Sequence, residues 1–188
     1  MMHHRSFIRK KEISRDHPLR KFLFRMTASS FETVGLPDGE VIRYVTDVLV
    51  DFVHVDNVYR FRVAPHKACA RGRAWRLGDL IDELEEAGRR GLWPESEIQT
   101  HIGDSCLFFT GIYPDALGRD RCCLDPWAFV QQGIDAYQWV SEYEAVGPSA
   151  KLFRKLSSVF EECVGALHIE REFLHDPFYQ YLMRQWDE

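Results

Sequence analysis

Residues 94–114 read PESEIQTHIGDSCLFFTGIYP, and this stretch decides the fold. Pro94 suits the first turn of a helix, where its missing N–H costs nothing. Glu95 and Glu97 complement the positive end of the macrodipole. Tyr113-Pro114 ends the helix, because a residue before proline is pushed out of the helical region. In between, Ile98, Ile102, Phe109 and Ile112 form one broad face, and Cys106, Leu107 and Phe108 extend apolar surface around the second half. A helix that is apolar nearly all round is a buried one, so the pattern predicts a central helix over 94–113. Gly103 and Gly111 lie inside it, each at a cost of about 1 kcal/mol relative to alanine. Both are therefore expected to be helix-packing positions, where a neighbouring backbone comes close. His101, Asp104 and Ser105, at spacings of three and four, share a face and form the candidate polar site.

Working outward, amphipathic stripes recur on both sides. Asp16 or His17 and then Pro18 open a helix with Leu19, Phe22, Leu23 and Met26 inward, to about Val34. Asp38 caps a second, whose Val41, Ile42, Val45, Val48, Leu49 and Phe52 repeat at three and four. Leu77 to Arg90 is a short acidic helix ended by Gly91. After the central helix and a polar connection bearing Cys122 and Cys123, Asp125-Pro126 starts a helix with Phe129, Val130, Ile134, Tyr137 and Val140 on one face. Ser149 caps what reads as the longest helix, periodic to Leu174, and Asp176-Pro177 opens a last short one. The expected fold is all-α, a single-domain bundle of about six to seven helices around 94–113. Residues 57–76 are ambiguous among helix, strand and loop: a helix continuing to about Arg62 or a short strand, then a basic loop bearing Pro65 and Gly72. Residues 1–15 read as a flexible basic arm, and 16–188 as one helical domain.

Composition narrows the class. Apolar residues make up 45% and aromatics 13% of the 188, enough for a folded core. No apolar run reaches the ~18 residues of a membrane span, and no secretory leader is visible. Five cysteines, Cys69, Cys106, Cys122, Cys123 and Cys163, are an odd number without a Cys-x-x-Cys, which argues against a disulfide framework and for a reducing cytoplasm. Residues 1–25 carry eight Lys and Arg against two acids, while the remainder carries 16 against 27. Such an arm could reach for nucleic acid, but it lacks the interleaved aromatics of a single-strand binder.

The strong helical metal motif is Glu-x-x-His on each of two helices, and it is absent. What stands in its place is Glu97, His101 and Asp104 on the central helix and Glu161, His168 and Glu172 on the long one, a set able to hold iron, manganese or zinc. Ser105 lies one turn beyond His101 without a nucleophile-elbow sequence. Cys106 reads as an inert core thiol.

The string His101-Ile102-Gly103-Asp104, with Leu107-Phe108, Thr110-Gly111 and Tyr113-Pro114, resembles a bacterial family of uncharacterised helical proteins, over about Val41 to Glu170. The resemblance implies an all-helical fold and a bacterial source, and no activity. The residues favour a non-enzymatic helical protein acting through an unidentified protein partner or self-association. The alternatives are a helical enzyme or a ligand- or metal-binding protein with a pocket at His101 and Asp104, or a nucleic-acid-associated factor using the basic arm.

Overall fold

In the computed structural model, residues 13–58, 61, 77–117, 126–145 and 147–175 are described, and they form α-helices with no strand among them. In chain order these are α1 (Pro18–Thr33), α2 (Gly39–Phe52), α3 (Val55–Val58), α4 (Leu77–Arg89), α5 (Glu95–Ile112), α6 (Pro114–Leu117), α7 (Pro126–Tyr143), α8 (Pro148–Ser158) and α9 (Phe160–Arg171), then a 3-10 turn (Glu172–His175). The expected all-α bundle is what forms, and α5 is its centre. Its buried residues run without a gap from His101 to Leu107, and α7, α9 and α4 pack around it. No helix of the described residues is long and apolar enough to cross a membrane.

The caps follow local chemistry. His17 caps α1, its Nδ1 accepting from the Leu19 amide at 3.1 Å. Asp38 caps α2, accepting from the amides of Glu40 and Val41 at 2.9 and 3.2 Å. Its second oxygen takes Lys155 of α8 at 2.8 Å. That bond, with the capping amides, holds the Asp38 carboxyl below its ordinary range. Gly35 and Gly91 end α1 and α4 at φ +79° and +61°. In both places the following amide bonds back across the last turn, Leu36 to Phe31 and Leu92 to Ala87, the Schellman arrangement that glycine permits without strain.

Three details differ from expectation. Pro94 is the residue before α5, in extended conformation at ψ 133°, because a preceding cap suits a fixed φ as well as the first turn does. The long helix expected from Ser149 is two helices. It begins at Pro148 and breaks at Val159, where φ is −119°. Ser157 and Ser158 turn their hydroxyls back onto the carbonyls of Arg154 and Lys155 at 2.9 and 2.7 Å, which competes with the helical ladder just before a β-branched residue. The expected arm has an anchor: Ile13 is 4% exposed and belongs to the core. Residues 1–12, most of the ambiguous stretch 57–76, the paired Cys122 and Cys123, and residues 176–188 lie outside the described residues.

Gly103 and Gly111 are close-approach positions, but side chains approach them, not backbone. A methyl on Gly103 would run into the Tyr137 ring, and one on Gly111 would meet Leu167 at 2.6 Å. Gly133 of α7 likewise makes room for the Phe160 ring. Tyr137 is fully buried and cannot swing away. Gly103→Ala is therefore expected to lower stability by about 1–3 kcal/mol through overpacking, although alanine favours a helix by about 1 kcal/mol. A chemical denaturation midpoint equal to or above that of the parent would show that the ring can move.

Candidate functional site

The polar residues of α5 face different neighbours. Asp104 Oδ1 accepts from the hydroxyls of Tyr44 on α2 at 2.7 Å and Tyr137 on α7 at 2.8 Å. One carboxylate oxygen thereby joins three helices. Around it the rings of Tyr44, Tyr137 and Phe153 stand 5.5–6.0 Å apart, between centroids. Burial pushes the Tyr137 hydroxyl well above its ordinary range, and the Asp104 charge adds to the effect, so Tyr137 stays a donor. His101 is wholly enclosed. Its Nε2 lies 2.8 Å from the Val58 carbonyl; a carbonyl only accepts, so Nε2 carries the hydrogen. The ring sits between Phe52 and Phe61, at 5.5 and 5.1 Å. Ser105 is buried with no partner for its hydroxyl among the described residues, so none of them is a base placed to activate it. Burial raises the thiols of Cys106 and Cys163 far above their ordinary value, which keeps both protonated and inert.

The metal candidates are not brought together. Glu97 is exposed on the first turn of α5, while His101 and Asp104 point to separate partners. Glu161 on the first turn of α9 and Glu172 just after its last residue are both exposed, and His168 bonds the Thr110 carbonyl through Nε2 at 2.9 Å. Among the described residues, no group of three or more His, Cys, Asp or Glu is placed to hold a metal ion.

Two of those residues do share a site of another kind. A groove of about 310 Å³ lies where α9 runs past the end of α5 and the start of α7. Glu161, Val164, Gly165 and His168 line it from α9, at the i, i+3, i+4, i+7 spacing of one helix face. Pro114 and Leu117 of α6 and Trp127 and Val130 of α7 form the other wall. Trp127 is 52% exposed. Gly165 faces open space: a methyl placed there would have no atom of the described residues within 4 Å. In this it is unlike Gly103, Gly111 and Gly133, each of which makes room for a packed side chain. Sequence reasoning passed over Gly165 and Trp127. The available signals were a glycine inside a periodic helix and a tryptophan directly after a helix-starting proline.

Glu170 was also passed over. It is 2% exposed on the α1 side of α9, with the Thr27 hydroxyl 3.2 Å from Oε1 and no partner for Oε2 among the described residues. Burial raises its carboxyl to about 8, against a small opposing effect of Thr27, and no charged group contributes. At neutral pH it is mostly a neutral acid. Its place three residues after Leu167 and seven after Cys163, both buried, is the periodic clue that this glutamate points inward.

Comparison with known proteins adds no relative: no protein-family model, no curated protein and no solved structure matches the chain.

Proposed function

We propose that the chain is a non-enzymatic helical binding protein of the bacterial cytoplasm, and that it works through the groove between α9, α6 and α7. The observation that carries this reading is the open floor of that groove at Gly165. A glycine inside a helix costs about 1 kcal/mol relative to alanine, and here no neighbour among the described residues requires it. Its effect is to leave depth between Val164, Val130 and Leu117, beside a half-exposed tryptophan. A concave, mainly apolar surface with few polar groups is the usual form of a small-ligand site. The core polar groups favour the same reading, because Asp104 and His101 are engaged in holding helices together. The buried, protonated thiols of Cys106 and Cys163 suit a reducing compartment.

The test uses Gly165. Gly165→Ala is expected to raise stability by about 0.5–1 kcal/mol. Gly165→Leu should fill the groove without unfolding the bundle. Hexanol titrated into the full-length protein should shift the Trp127 indole NMR resonance in the parent, and should fail to do so in Gly165→Leu. If Gly165→Ala melts well below the parent, the glycine has a packing role and the groove is not kept open for a ligand.

A further inference from the structure

The chemistry of the groove narrows what it would hold. This inference rests on the binding reading above and adds the ligand class. The two polar side chains contributed by α9 are Glu161 and His168, seven residues apart, which is about 10 Å along a helix. Glu161 is exposed and makes no ion pair among the described residues; it is the only charged side chain among the described lining residues. His168 has one nitrogen committed: Nε2 donates to the Thr110 carbonyl. The Thr110 hydroxyl is also committed, donating to the Cys106 carbonyl at 2.6 Å. So α9 presents a carboxylate acceptor, Glu161, at one end of an apolar floor. Across from it stands Trp127, and indole rings draw cations to their faces.

We infer that the groove takes an organic cation with an apolar body, a primary amine carried on an alkyl or aryl group, with its ammonium at Glu161 and its hydrocarbon over Gly165 and Val164. A carboxylate of the same shape would meet Glu161 as a like charge. A neutral alcohol would keep the apolar contact and lose the charge pairing. The residues that decide are thus Glu161 for charge, Gly165 for depth and Trp127 for the wall.

Hexylamine, hexanol and hexanoate are unbranched six-carbon molecules whose head groups differ in charge. Each is titrated into the full-length protein at pH 7 and low salt, with the Trp127 indole resonance as the readout. Hexylamine is expected to bind about three- to fivefold more tightly than hexanol, the range of an exposed ion pair, and hexanoate more weakly than both. Glu161→Gln should remove the advantage of the amine and leave hexanol binding unchanged. Because Glu161 is exposed, that variant is expected to fold as the parent does. Equal affinity for all three probes, or preference for hexanoate, would overturn the cation assignment while the groove remained a ligand site. If none of the three moved the Trp127 resonance, the binding reading itself would fail, and this inference with it.

Discussion

Replacing Asp104 by alanine is expected to lower the unfolding free energy by about 3–5 kcal/mol, the largest loss among single changes to the core polar groups. The Asp104 carboxylate accepts two tyrosine hydroxyls on one oxygen, and Tyr137 is fully buried. Truncation removes both bonds, strands a buried donor on Tyr137 and leaves a gap among packed rings. Asp104→Asn keeps an oxygen in place and should cost only about 1–2 kcal/mol. Urea denaturation of Asp104→Ala, in the parent and in a Tyr44→Phe/Tyr137→Phe background, separates the sources. Where the two hydroxyls are already gone, most of the loss should disappear, because contacting residues do not add independently. An undiminished loss in that background would mean that the hydrogen bonds are not what Asp104 supplies.

The second large effect is in the pH dependence, and its sign is opposite to that of a salt-bridged carboxylate. The Glu170 carboxyl is raised from 4.5 to about 8 by burial. Between those values the folded chain holds a proton that the unfolded chain has released. Stability is then fully present below the lower value and falls as pH rises, by up to about 1.4 kcal/mol per pH unit. The fall levels off once pH passes about 8 and both states are ionised. The total is on the order of 5 kcal/mol. Glu170→Gln abolishes the titration. Its stability should match that of the parent near pH 4 and exceed it increasingly up to about pH 9. The loss in the parent should begin as separation of α1 from α9, because Thr27 is the contact Glu170 makes on α1. Parallel pH–stability curves for the parent and Glu170→Gln would show that Glu170 ionises without penalty.

Much of the fold is legible in the order of residues. The three- and four-residue spacing of Val41, Ile42, Val45, Val48 and Leu49 outweighs the strand preference of its β-branched residues, because period determines which side chains fall on one face. Pro18, Asp38 and Pro126 mark helix starts for reasons confined to a few bonds: a fixed φ, or an oxygen placed for orphan amides. The unbroken apolar surface of 94–113 likewise identifies the central helix, since such a surface has nowhere to go but inside. The burial of His101 and Asp104 follows from that, and both are buried.

What period cannot supply is the partner. Asp104 finds Tyr44 and Tyr137, 60 and 33 residues away in the chain, and only the crossing of three helices puts them in reach. Gly103 announces a close approach, but whether a backbone or a ring fills the space depends on which face of α7 is turned toward it. Glu161 and His168 read as metal candidates because they share a helix side; the wall opposite them consists of Trp127, Val130 and Leu117, which makes an apolar groove instead. The break at Val159 is a close balance between local serine hydrogen bonds and the helical ladder, and a continuous apolar stripe hides it. Local sequence determined where helices form and which sides are apolar, because those depend on neighbours within a turn. Tertiary structure decided what each polar group meets, because the energies of Asp104, Glu170 and the groove at Gly165 depend on atoms brought in from distant parts of the chain.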